Sequence, residues 1–306
     1  MIYSRKSSVL SNDISSIFSR TFGNVGNVFN LTLNQIIKSL FANNEQGFAY
    51  DPNDLSTMYQ DAAGTVPVTG VGQAVGLMLD KSKGLTLSSE LVLNGDFSSG
   101  ATSWITSGTV TISGGVVNFN NAESGALVLQ ANPTNFIVGQ LYKVTYTIIS
   151  ISGGSVSCAM GSNLGTIRAT AGTYTEYIVA QSANVYIRAR INGTTATIDN
   201  ISVKGLAGNH AYQSTSSMRP LLVASPQRLD YDTVDDKLTT TLPAQLTGCT
   251  VIRAVPNVGT QILTNQTIPT PYNDNTDHCG LIVINRALTP SETSAITREF
   301  NKRAGV

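Results

Sequence analysis

Charge is scarce in this chain, and what there is cancels. Of 306 residues only 12% are charged, with 19 Lys+Arg against 19 Asp+Glu. A sequence-independent nucleic-acid binder needs a cationic surface to displace phosphate counterions, so nucleic acid is excluded as the main partner. Hydrophobic residues make up 41%, which with zero net charge excludes a long disordered chain. Cysteine is nearly missing. Cys158, Cys249 and Cys279 are odd in number, far apart and without C-x-x-C spacing, so they indicate neither a disulfide framework nor a zinc knuckle and read as small core residues. Long hydrophobic runs are absent too: the most apolar stretch, 135–151, contains Gln140 and Lys143 and alternates, so no membrane span is expected. At the basic start, Asn12, Asp13 and Ser15 interrupt the apolar residues before a secretory core can form, and synthesis in a cytoplasm is expected.

What is present changes character along the chain. Leu10, Ile14, Ile17 and Phe18 recur at helical spacing, and after a Gly/Asn-rich break at 21–27 so do Phe29, Leu33, Ile36, Ile37 and Leu40. Two short amphipathic helices follow from this pattern. Each is too short to persist alone in water, so its stripe needs a cover, either the rest of the chain or a neighbouring subunit. Residues 1–45 are read as a helical anchor.

From Phe48 onward the period is that of strands and turns. The Asp51-Pro-Asn-Asp54 cluster suits a turn, and residues 70–80 are short apolar pieces between glycines. Residues 85–205 are rich in Gly, Ser, Thr and Asn, with about eight alternating runs that fit an antiparallel sandwich. In 141–148 the alternation puts Tyr142, Val144, Tyr146 and Ile148 on one face and Lys143, Thr145 and Thr147 on the other. In 184–191 it puts Val185, Ile187, Ala189 and Ile191 inward, and Tyr186, Arg188 and Arg190 outward. The chain closes with a helix announced by Thr289-Pro-Ser-Glu292, a capping box with Pro at the first helical position.

Residues 89–104, Ser-Glu-Leu-Val-Leu-Asn-Gly-Asp-Phe-Ser-Ser-Gly-Ala-Thr-Ser-Trp, with 197–203, Thr-Ile-Asp-Asn-Ile-Ser-Val, resemble the first and last strands of carbohydrate-binding jelly-roll modules. Segments 50–61, 76–82, 208–213, 229–236 and 285–292 resemble concanavalin/laminin-G-like sandwiches of bacteriophage and prophage virion proteins, such as tail-fibre-like components. In that family Asp-Lys-Ser-Gly runs directly into Gly-Asn-His-Ala, whereas here Asp80-Lys-Ser-Lys-Gly84 and Gly208-Asn-His-Ala211 are separated by the first module. The two resemblances are therefore nested. They imply a mainly β fold: a jelly roll at 85–205 inserted in a discontinuous sandwich at 46–84 and 206–306, with an α-helical N-terminal anchor and a C-terminal helix. A sandwich whose first and last strands are neighbours has adjacent termini, so it can occupy a loop at little entropic cost.

Candidate sites follow from residue chemistry. A glycosidase needs two carboxylates about 5–10 Å apart, one of them protonated; the densest acidic group, Asp230, Asp232, Asp235 and Asp236, sits at a turn that is structural in the resembled family. Asp277, His278 and Cys279 are consecutive, and neighbours on a strand point to opposite faces, so no catalytic group is expected there. His210 lacks both a metal-ligand spacing and a nucleophile elbow. The sugar-binding modules often carry a structural calcium between first and last strands, which implies Asp96 and Asp199 as oxygen ligands, the alternative being that both terminate turns. No other cofactor is implied. Trp104 is expected in the core. The outward Tyr186, Arg188 and Arg190, with Lys143 and Thr145 beside them, are the candidate glycan surface, the alternatives being a solvated face or a subunit contact.

The resemblances together imply a non-enzymatic virion structural protein, a tail or exterior fibre that joins other virion proteins through residues 1–45. Such a fibre forms a homo-oligomer, for which a trimer is one fit, and displays a glycan-binding sandwich whose avidity comes from copy number. The alternatives are a capsid or tail cement protein without glycan binding, and a polysaccharide-degrading enzyme. The last fits least, because phage depolymerases resemble long β-helices and this chain has no such repeat.

Overall fold

The computed structural model describes residues 31–131 and 136–306. The chain divides into two units between Leu31 and Thr32, and the description below concerns the second. Leu10, Ile14, Ile17, Phe18 and Phe29 lie outside the described residues.

Helix α1 (Leu33–Leu40) starts where Thr32 forms a capping box: its hydroxyl accepts the Gln35 N–H, and the Gln35 side chain accepts the Thr32 N–H. Leu33, Ile36, Ile37 and Leu40 are all buried. This half of the expected anchor already has its cover, because α1 packs against the closing helix at 290–304, and these four side chains are not free to dock elsewhere.

A frame begins with β1 (Gly47–Tyr50), β2 (Met58–Tyr59) and β3 (Leu77–Met78). The chain then leaves it to form β4 (Trp104–Thr106), β5 (Val110–Ser113), β6 (Val116–Ala122), β7 (Leu127–Gln130), β8 (Leu141–Gly153), β9 (Val156–Met160), β10 (Asn163–Leu164), β11 (Gly172–Val179), β12 (Val185–Ala189) and β13 (Thr194–Leu206). It returns as β14 (Ala211–Tyr212), β15 (Leu221–Val223), β16 (Arg228–Asp230), β17 (Leu238–Thr240), β18 (Leu246–Val255), β19 (Gly259–Ile268), β20 (Tyr272–Asp274), β21 (Leu281–Ile284) and helix α2 (Pro290–Ala304).

Strands β4–β13 pair only among themselves, in two five-stranded sheets ordered β10-β9-β12-β7-β4 and β11-β8-β13-β6-β5. The remaining strands form a four-stranded sheet β1-β21-β18-β19, a five-stranded sheet β2-β3-β14-β17-β20 and the ribbon β15-β16. Pairing is antiparallel throughout, as between β8 and β13 or β18 and β21. The inner pair of sheets encloses Trp104, Phe119, Tyr142, Val144, Tyr146, Cys158, Ile187 and Val203, and the outer pair encloses Phe48, Tyr50, Met58, Leu229, Val251, Leu281 and Val283. β21 is apolar at every position because both its faces are buried. Leu281 and Val283 point into the sandwich, and Ile282 and Ile284 lie on the opposite side, where α2 crosses β18 and β19.

The inserted module is joined to the frame at one place. Leu87 bridges Leu206, and the Ser88 N–H donates to the Gly205 carbonyl at 2.9 Å. Beside this neck, Leu77 and Leu79 of the frame bury against Leu141 and Leu206 of the module. Tyr59 packs on Tyr177 with ring centroids 5.4 Å apart, and the Tyr177 N–H donates to the Ala63 carbonyl at 2.7 Å. Burial of this cluster fixes the module's pose on the frame.

Two sequence readings are corrected here. Ile191 is not inward; β12 ends at Ala189 and Ile191 is 54% exposed, because the chain turns at 190–193 to enter β13. Residues 89–96 are not a strand but a run of bends laced to β13, with the Leu91 N–H on the Val203 carbonyl and the Ile201 N–H on the Gly95 carbonyl. Among the described residues, no helix is long and apolar enough to cross a membrane.

Candidate functional site

Tyr186 and Arg188 stand outward on β12 while Val185, Ile187 and Ala189 fill the module core. Lys143 and Thr145 do not join them. They lie on β8, in the opposite sheet, where Lys143 is flanked by Tyr177 and Lys204 and the Thr145 hydroxyl meets that of Thr175 at 3.0 Å. Parity can be read from a single strand, but membership of a sheet depends on distant pairing, so this part of the expected grouping is corrected.

The true neighbours of β12 are β7 and β9. Their register sets Ile105, Leu129, Tyr186 and Ala159 in one cross-strand row and Leu127, Arg188 and Ser157 in the next. Ile105 is 55% exposed, and Leu127, Leu129, Tyr186, Arg188 and Arg190 are half-buried. The Tyr186 ring is held in place because its hydroxyl donates to the Gly161 carbonyl at 2.7 Å. Arg190 follows the strand, its N–H on the Ser155 carbonyl at 2.8 Å. The result is a flat apolar and aromatic strip edged by guanidinium groups, a surface that can stack on the C–H face of a sugar ring and hydrogen-bond its rim.

The acidic turn is built to hold itself. Asp232 Oδ1 accepts the N–H groups of Val234, Asp235 and Asp236 at 2.9, 3.1 and 3.1 Å, and Asp236 Oδ2 accepts that of Asp232. Those N–H donors, Val234 first, hold the Asp232 carboxyl below its usual range. Carboxylate oxygens of Asp232, Asp235 and Asp236 approach within 4.8 Å of one another. Asp230 is engaged by Arg228 at 2.7 Å, and Asp277 accepts the Tyr231 N–H. Cys279 is buried, and burial pushes its thiol up to about 11.

Asp96 and Asp199, the calcium ligands that the resemblance implies, are each engaged by residues close by in sequence. Asp96 accepts the N–H and hydroxyl of Ser98, and Asp199 accepts the N–H and side-chain amide of its neighbour Asn200. The hollow beside Asp96 is lined by Glu90, Asn94, Asn200 and Ser202 and not by Asp199. Glu90 is itself engaged, accepting the Val203 N–H at 2.7 Å and the Ser202 hydroxyl at 2.6 Å. Glu90 thus latches the segment at 88–92 to β13.

Three buried polar networks were not anticipated from the sequence. In the first, Asp274 accepts Tyr231 Oη at 2.8 Å, His278 Nε2 at 2.8 Å and Arg253 Nη2 at 2.9 Å; burial opposes its charge, but His278 and Arg253 keep its carboxyl below the ordinary value. In the second, Lys81 bridges Asp51 at 3.0 Å and Asp54 at 2.6 Å, and Arg303 of α2 grips Asp51 from the other side. In the third, fully buried Glu176 on β11 accepts the Thr166 N–H at 2.7 Å, Cys158 Sγ at 2.8 Å and Tyr146 Oη at 3.4 Å. Its signal was available: Glu176 shares inward parity with Tyr174 and Ile178. All three tie separate elements together, and in the first Arg253 Nε and His278 Nδ1 are buried without a partner. No protein-family model and no curated protein matches the chain.

Proposed function

We propose that this chain is a non-enzymatic bacteriophage virion protein, a tail-fibre or exterior-fibre component whose inserted jelly roll binds host-surface glycan. The observation that carries the reading is the cross-strand row Ile105, Leu129 and Tyr186, continued by Leu127 and Arg188, on the outer side of one module sheet. The sequence resemblance of the frame segments to virion sandwiches supplies the particle context. The geometry of the neck supports display, since a module joined at Leu87 and Leu206 and seated on Leu77 and Leu79 is presented in one orientation. Attachment to the particle is assigned to residues before α1, whose own stripe is covered.

Two measurements test this. On a glycan array the full chain should retain a set of saccharides, and Tyr186→Ala should lose most of that signal; no binding at all would leave the module as cement. Mass spectrometry and electron microscopy of purified particles should find the chain on the exterior, and its absence from them would refute the virion assignment.

A further inference from the structure

Every ion pair among the described residues lies in the frame: Lys81, Arg228, Arg253, Arg286 and Arg303 each hold at least one carboxylate. The module differs. Arg188 and Arg190 hold none, although Arg188 stands on the same face of the sheet as the sugar-compatible row and Arg190 follows just past the end of that strand. Buried beneath them, Arg188 Nε, Arg190 Nε and Arg190 Nη1 have no hydrogen-bond partner, and neither does Ser157 Oγ, which is fully enclosed directly across from Arg188. These four atoms are the majority of the seven buried side-chain polar atoms without a partner among the described residues. Unmet buried donors are costly and rare in folded proteins, and a cluster of them calls for an acceptor.

We infer that Arg188, Arg190 and Ser157 form an anion subsite that takes the carboxylate of an acidic polysaccharide, such as a hexuronate. The inference rests on the saccharide-binding reading above and deepens it. A planar carboxylate offers two oxygens to the fork of a guanidinium, and the Ser157 hydroxyl supplies a further donor at the base of the site. The sugar ring that carries the carboxylate then lies over Tyr186 and Leu129, the adjoining row. An acidic ligand also suits a molecule of zero net charge, which has no broad cationic field to gather polyanions and must recognise them locally.

Affinity electrophoresis of the full chain tests the subsite with three gels containing polygalacturonate, the same polymer after carboxyl reduction, and dextran sulfate. Polygalacturonate should retard the protein, and the reduced polymer should do so roughly tenfold less well. Arg188→Gln and Arg190→Gln should each weaken retention by polygalacturonate by roughly tenfold, a larger loss than either causes with the reduced polymer; an equal loss with both polymers overturns the subsite. Their melting temperatures should not fall, because the replaced groups have no partner in the free protein; a clear drop would show the arginines to be structural and overturn the subsite. Equal retention by the native and reduced polymers overturns the subsite while leaving saccharide binding intact. Equal retention by dextran sulfate overturns the choice of carboxylate, and retention by none of the three overturns the acidic subsite together with the reading beneath it.

Discussion

Asp80 and His210 form a buried pair whose titrations oppose each other. Asp80 accepts the N–H groups of Ala49, Ser82 and Asn209 and the Ser82 hydroxyl, yet burial outweighs these donors and pushes its carboxyl from 3.8 up to about 6. Between those values the native state holds a proton that the unfolded chain has released, so this group's contribution to stability is lost as pH rises through 6. His210 Nδ1 accepts the Asp80 N–H at 3.0 Å, and its Nε2 faces the Leu206 carbonyl at 3.3 Å. Burial holds the ring neutral, lowering its value from 6.5 to about 4. Here the unfolded chain binds the extra proton, so stability rises with pH from 4 to 6.5. Each shift corresponds to about 3 kcal/mol, and the two nearly cancel. Replacing the ring by His210→Gln should therefore expose the Asp80 slope. Measured by urea unfolding, the stability difference between native chain and variant should grow by about 3 kcal/mol between pH 4 and pH 6.5; a constant difference would contradict this account.

At the scale of elements, the sharpest local signals were also the most accurate. The capping box of α2 forms as its residues suggest, with Glu292 accepting the Thr289 N–H at 2.8 Å, and Gly305 ends the helix in the left-handed conformation. Thr289→Ala should cost about 1 kcal/mol in thermal or urea unfolding. Glu292 has a second role that its sequence position did not reveal: it meets Arg286 at 2.7 Å, and Arg286 also reaches Glu45 and the Leu40 carbonyl, clasping α1 to α2. Alternation identified the inward faces of β8 and β12 because parity is a property of one strand. It could not show that these strands belong to different sheets, which is why Lys143 and Thr145 were wrongly grouped with Tyr186. The segment around Asp96 was legible as a motif but not as a shape. Gly95 passes so close to β13 that a Cβ there would stand 2.0 Å from the Ile201 carbonyl oxygen. Gly95→Ala should destabilise the module by about 1–3 kcal/mol, read as earlier melting.

On the scale of the whole molecule, the mainly β character and the antiparallel sheets were readable from composition and turn spacing. The buried networks that tie elements together were not, because Asp274 and Arg253, or Asp51 and Arg303, become partners only once distant segments meet. Since β4–β13 pair only among themselves and the chain leaves and returns at one bridge, residues 86–206 should fold when expressed alone. The fragment should show a single cooperative melt and β-rich circular dichroism; an unfolded fragment would mean that the seat on Leu77, Leu79 and Tyr59 is needed for folding and not merely for orientation.

The seat has a further consequence for diversification. A module grafted at positions 87 and 206 can be exchanged without rewriting the frame, provided the newcomer brings counterparts of Leu141, Tyr177 and Leu206. A module lacking those contacts would swivel on its stalk, so an exchange of modules should keep this small greasy footing constant while everything facing outward varies.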